Sequence, residues 1–205
     1  MSLFEVLNAI GLFSFAASGV FKGINKNLDL LGVITLGFLT ALGGGITRDL
    51  IVNRVPMAFT GCKDLLITFC GIAFTLIIYI AFRKDFSTKK VIKYFDAIGL
   101  AAFSVTGFLV GTESNINYFG VILLGLITGA GGGVISDILT REIPFILKED
   151  FYASCSIIGG IIFITLKELD FSLEVASFFS LLIILIVRIL AIEKGWHLPK
   201  IGEKG

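Results

Sequence analysis

The chain has 205 residues, of which 56% are apolar and only 16% charged, and its mean hydropathy is +0.96. A soluble domain carries about 25% charged residues, so a water-soluble enzyme, a disordered chain and a nucleic-acid binder are all disfavoured. Lys plus Arg number 17 and Asp plus Glu 16, so net charge offers no polyanion-binding signal, and the composition is that of an integral membrane protein.

A spanning helix needs roughly 20 mostly apolar residues. In chain order the sequence predicts spans near Leu3–Phe21, Leu30–Val52, Asp64–Phe82, Tyr94–Gly111, Tyr118–Thr140, Phe151–Leu166 and Leu173–Ile192, the sixth being the shortest. The first is not read as a cleaved signal peptide, because it has no basic stretch before it, its only early charge being Glu5, and its sequence recurs downstream. Lys and Arg concentrate after spans one, three and five and in the C-terminal tail, with the Arg83–Lys93 segment the strongest marker. Of the 17 basic residues only Arg48, Arg54, Lys63 and Lys167 fall on the other side. The positive-inside rule then predicts a cell-membrane protein with its N-terminus outside and its C-terminus cytoplasmic.

Sliding the chain by 88 positions superposes Asn8–Gly71 on Asp96–Gly159 without a gap, and 20 of the 64 pairs are identical, where about five would arise by chance. Ala9-Ile10-Gly11-Leu12 matches Ala97-Ile98-Gly99-Leu100, Gly43-Gly44-Gly45 matches Gly131-Gly132-Gly133, and Asp49 and Pro56 match Asp137 and Pro144. Each unit holds three spans, so the second enters the membrane from the opposite face. The expected fold is one all-α membrane domain over residues 1–205: two inverted three-helix repeats (3–82 and 94–167) and an extra seventh helix (173–192).

The triple glycines fall within spans two and five. Glycine is about 1 kcal/mol worse than alanine inside a helix, and non-helical backbone is tolerated in a membrane only beside protein or a water-filled cavity. The sequence therefore predicts a kink at Gly43, Gly44 and Gly45 and another at Gly131, Gly132 and Gly133. The competing reading is close packing, since Gly37-Ala41-Gly45 and Gly125-Gly129-Gly133 are small-xxx-small ladders. Arg48 and Asp49 follow the first triplet, Ser136 and Asp137 the second, and Thr40 and Thr128 precede them by one turn. Ionisable groups so deep in a membrane usually face a bundle interior or an aqueous path. An interrupted helix would put each Asp in the first turn of the following half-helix, where the dipole favours a carboxylate. Arg48 has no basic counterpart in the second repeat, so the two mouths of a pathway are expected to differ in charge. Gly19-xxx-Gly23 and Gly107-xxx-Gly111 allow close helix approach within or between subunits.

No metal ligands stand at useful spacing. Cys62, Cys70 and Cys155 read as small buried hydrophobes, His197 sits alone in the polar tail, and the usual phosphate-loop, zinc-protease and nucleophile-elbow motifs do not occur. Neither an enzyme nor a cofactor is expected. An intramembrane aspartyl protease would also use two Asp residues, but its Gly-x-Gly-Asp and Tyr-Asp pairings do not occur.

At its paired glycine triplets, its following Asp residues and its seventh span, the sequence resembles the short prokaryotic members of the trimeric intracellular cation channel family. The resemblance implies a homotrimer with one pore per subunit, permeable to potassium and sodium ions and flanked by kinked second and fifth helices. The basic phosphoinositide-binding motif of animal members has no evident counterpart here. Because some prokaryotic relatives are named as possible glycine transporters, a secondary transporter of a small solute such as glycine is the alternative.

Overall fold

The computed structural model describes residues 2–82, 88–148 and 151–196, and among them the regular structure is entirely helical. The long helices are α1 (Leu3–Asn25), α2 (Leu30–Ile51), α4 (Lys63–Ala81), α5 (Thr88–Glu113), α6 (Tyr118–Leu139), α8 (Ala153–Glu168) and α9 (Leu173–Lys194). Single turns, α3 (Met57–Thr60) and α7 (Phe145–Lys148), lead into α4 and α8. Six of the long helices have the length and hydropathy to cross a membrane, while α8 has only 16 residues. Residues 83–87 of the Arg83–Lys93 marker, and His197 with the tail beyond it, lie outside the described residues. Lys90 and Lys93 belong to α5, which begins earlier than the predicted span.

Side-chain oxygens close the starts of α1, α2, α6 and α9. Ser2 and Glu5 form a capping box on α1, and Ser172 caps α9. Asp29 and Asn117 each accept from the glycine N–H three residues on, both at 2.7 Å. Those two caps stand 88 residues apart, as do the left-handed residues Asn27 and Asn115 and the pair Asn53 and Arg141.

Packing repeats the same offset. Where α1 crosses α5, a Cβ on Gly11 would strike the Phe103 ring and one on Gly99 would strike the Phe15 ring, so the helices meet antiparallel and the two rings stack edge-on at 5.3 Å. Where α2 crosses α6, a Cβ on Gly44 would meet the Thr128 carbonyl and one on Gly132 the Thr40 carbonyl. Gly19 of α1 faces Gly37 and Thr40 of α2, and Gly107 of α5 faces Gly125 and Thr128 of α6. These small-residue ladders therefore join helices within one subunit.

The exterior is apolar, and the interior holds charged side chains within an apolar core. Leu66, Phe69, Ile77 and Ile80 of α4 and Phe178, Phe179 and Ile186 of α9 are exposed, as suits a lipid-facing surface. Asn8, Lys22, Arg48, Asp49, Asp96, Asp137 and Arg188 are buried. Cys62 and Cys70 depart from expectation: both are exposed, and only Cys155 is buried.

The helices are not interrupted at the glycines. Both α2 and α6 are continuous through their triplets, so Asp49 and Asp137 lie in the last turn of their helices and not at the start of new ones. The reason lies in the crossing. Without side chains, Gly44 and Gly132 admit a neighbouring backbone carbonyl, and the close packing of the two helices offsets the weak helix propensity.

Candidate functional site

The antiparallel α2–α6 pair carries its ionisable residues to opposite ends of the bundle. Arg48 and Asp49 sit at the face that holds the N-terminus. Arg48 is 1% exposed; its Nε donates to Asp49 Oδ1 at 2.7 Å, its Nη1 to Thr106 Oγ1 at 3.4 Å, and its guanidinium lies 5.3 Å from the Phe4 ring centroid. Asp49 Oδ2 accepts the Met57 N–H at 3.0 Å, so the carboxylate ties the end of α2 to the start of α3.

The opposite face repeats the device with different residues. Asp137 Oδ2 accepts the Phe145 N–H at 2.8 Å, tying the end of α6 to the start of α7. Its other oxygen is ion-paired with Lys22, whose Nζ also reaches Ser136 Oγ at 3.3 Å and lies 5.4 Å from the Phe145 ring centroid. Met57 and Phe145 are repeat equivalents, as are Asp49 and Asp137.

Lys22 corrects the sequence reading. Expected in the loop after the first span, it instead lies in the last turn of α1, 4% exposed. Both Asp residues therefore have a cation: one supplied by the preceding residue of the same helix, the other by α1. The equivalent of Arg48 is Ser136, and the equivalent of Lys22 is Val110, so the charge has moved from one helix to another between the halves. Sequence comparison position by position cannot register such an exchange.

Two further carboxylates, absent from the sequence-based expectation, lie in the bundle. Asn8 Nδ2 donates to Asp64 Oδ1 at 2.9 Å near the N-terminal face, and the Tyr152 hydroxyl donates to Asp96 Oδ1 at 3.2 Å near the other. Asn8 and Asp64 are the equivalents of Asp96 and Tyr152, so here too the carboxylate has changed helix. A polar residue in an apolar span, matched by another polar residue one repeat away, is the signal that could have found them.

The predicted glycine and hydroxyl residues divide between two environments. Gly43, Gly44, Gly131 and Gly132 lie at the α2–α6 crossing, where Gly43 faces Ile135 and Gly131 faces Gly44. Gly133 lies against the Asp96–Tyr152 pair, and a Cβ on Gly45 would have only Arg48 Nη2 within 4 Å, at 3.9 Å. Thr40 and Thr128 donate back to the carbonyls of Leu36 and Leu124, both at 2.6 Å. Ser136 donates to Gly133 O at 3.0 Å and meets Lys22.

Three cavities converge on the N-terminal cluster. One of about 360 Å³ is lined by Phe4, Arg48, Asp49, Arg54 and Glu113. Another of about 580 Å³ lies between α1, α3 and α4, beside Glu5, Cys62 and Asp64. A third, of only about 10 Å³, reaches inward past Gly45 to Leu42 and Phe103. That last space is about enough for one water. Met57 lines all three. Among the described residues no cluster of metal-ligating side chains occurs.

Comparison with known proteins bears on what this arrangement is. A family model described as "Glycine transporter" matches residues 5–82 and 93–168, two stretches whose starts are separated by the repeat offset. The inner membrane protein YadS of Escherichia coli (strain K12) is 34% identical over 194 residues, covering 94% of this chain and 92% of the relative. A TRIC cation channel solved to explain conductance superposes with a TM-score of 0.84 at 38% identity, covering 100% of both chains. A prokaryotic TRIC channel crystallised in 0.5 M KCl gives 0.87 at 31% identity, covering 96% of this chain and 98% of that one. With both the fold and most of the sequence accounted for, the chain belongs to the TRIC channel family.

Proposed function

We propose that this chain is a channel for monovalent cations, potassium among them, with a pathway through each subunit. The observation that carries the proposal is the series of buried charged side chains inside a single chain, from Arg48 and Asp49 at one face to Asp96, Lys22 and Asp137 at the other. Burying such groups in a membrane is costly unless they serve a polar path. The solved relatives, at 38% and 31% identity, are cation channels, which favours conduction over carriage. Gly45 and Gly133 border the polar clusters, Ser136 adds an oxygen, and Thr40, Thr128 and the remaining triplet glycines hold α2 and α6 against their neighbours. Any kink that opens the path forms at these triplets. Purified protein in a planar bilayer is expected to give discrete current steps in potassium salt; saturable flux without steps would overturn the channel reading.

The chain crosses the cell membrane seven times as two inverted repeats plus α9, and α8 is the short sixth span. The reciprocal contacts at both crossings and the doubled family match support the duplication. The N-terminal face is external and the basic face cytoplasmic. Cysteines placed at Asn115 and Lys90, in a chain without its native cysteines, are expected to react with impermeant reagents from opposite sides. The working assembly is a homotrimer, so mass measurement in detergent or native lipid is expected to give three chains. A fully conducting monomer would contradict that assembly.

A further inference from the structure

Around the cavities at the start of α1, ion pairing leaves the Asp64 carboxylate without a cation of its own. Arg48 pairs with Asp49, Arg54 with Glu113 at 3.3 Å, and Lys63 with Glu5 at 3.2 Å. Both Asp49 oxygens are committed, one to the guanidinium and one to the Met57 N–H. Asp64 differs: its hydrogen-bond partner is the Asn8 amide, which is neutral, and it makes none of the ion pairs formed by the described residues. It lies in the first turn of α4, where the helix dipole favours a negative charge.

Position gives that charge a use. Asn8, Met57 and Asp64 line both the 580 Å³ cavity and the small inner cavity that continues past Gly45. The larger space is wide enough for a hydrated ion and mostly apolar in its walls. The other charged groups that line the two spaces are paired with each other, Glu5 with Lys63 in the larger and Asp49 with Arg48 in the smaller, so Asp64 carries the unbalanced charge at the junction. The Lys63 ammonium, with its side chain 86% exposed, extends into solvent, where salt screens it.

We propose that Asp64 is the residue that selects cations over anions at the N-terminal face, and that the cavity between α1, α3 and α4 is the chamber in which a monovalent cation is held before it passes Met57. The assignment rests on the channel reading. Asp49, neutralised by Arg48, instead holds α3 in place and contributes little net attraction.

The test is the potassium-to-chloride permeability ratio of the whole protein in planar bilayers under a KCl gradient. Asp64→Asn is expected to lower the ratio roughly tenfold at low salt, the effect of one unit charge acting over a few ångströms on cation and anion alike. The effect shrinks at high salt, and Asp64→Glu retains the ratio. Cys62 lines the same cavity and gives a second measurement on the unaltered fold. A cationic thiosulfonate reagent added on the N-terminal face is expected to lower the ratio and an anionic one to raise it, with neither acting on Cys62→Ser. If Asp64→Asn does not assemble, the Cys62 experiment decides alone. A cation-selective wild type whose ratio is unmoved by Asp64→Asn, or by reagents of either sign at Cys62, overturns this assignment and leaves the channel reading standing. A wild type that passes no cations overturns the channel reading, and the assignment falls with it.

Discussion

Gly44→Ala and Gly132→Ala are each expected to lower the thermal stability of the detergent-purified protein sharply, although alanine is the better helix former. The added methyl would sit inside the Thr128 carbonyl in one case and the Thr40 carbonyl in the other. Overpacking a filled interior costs about 1–3 kcal/mol where side chains can shift. Here the obstacle is backbone in a neighbouring helix, so the upper end of that range applies and leucine should abolish assembly. Gly45→Ala is the internal control, one residue away on the same helix. Its methyl would meet nothing closer than Arg48 Nη2 at 3.9 Å, so stability should hold or improve by the helix-propensity gain of about 1 kcal/mol. Thermal melts of the three variants decide between the two effects: equal gains at Gly44 and Gly45 would mean that propensity, not the crossing, governs these positions.

A second large effect is expected at Lys22. Its side chain is 5% exposed and its partner Asp137 1% exposed, so Lys22→Met strands a carboxylate in the bundle. Breaking a buried pair from one side costs about 3–5 kcal/mol, whereas removing both charges is often nearly neutral. Lys22→Met should therefore melt far below the parent, and Lys22→Met with Asp137→Asn should recover most of the loss. Part of the deficit would remain, because the Asn amide must still accept the Phe145 N–H that Asp137 Oδ2 now holds at 2.8 Å. Lys63→Met offers the contrast: its pair with Glu5 is solvent-exposed, and such pairs contribute about 0–1 kcal/mol. A double variant no more stable than Lys22→Met alone would show that Lys22 acts through its apolar stem and its contact with Phe145.

The helices and their near-duplication were legible because apolar length and the 88-residue offset are properties of the chain alone. The contacts of Gly11 with Phe103 and Gly99 with Phe15 are what a paired sequence implies once both halves meet. Lys22 was hidden because it ends an apolar run and is followed by Lys26, a pattern that also marks a solvated loop. Only the α1–α6 packing, with Glu142 between the two lysines, turns Lys22 inward. The continuity of α2 and α6 was hidden for a different reason. Propensity counts what glycine costs a helix, and it cannot count the neighbouring backbone that glycine alone admits. Asp64 and Asp96 escaped notice because each has a non-acidic repeat partner, Tyr152 and Asn8, so the offset that exposed the fold concealed the exchange.

The α2–α6 crossing has a mechanical consequence. Two rods locked at one point can tilt but cannot separate there, so the reciprocal contacts of Gly44 and Gly132 make that point a fulcrum. Asp49 lies about seven residues from the middle of the contact, about 10 Å along the axis at 1.5 Å per residue. A tilt of about 10° then carries it by about 2 Å on the same lever. That displacement is comparable to the bore of the 10 Å³ space beside Gly45, so a modest scissoring of two unbroken helices is enough to change whether that passage is open.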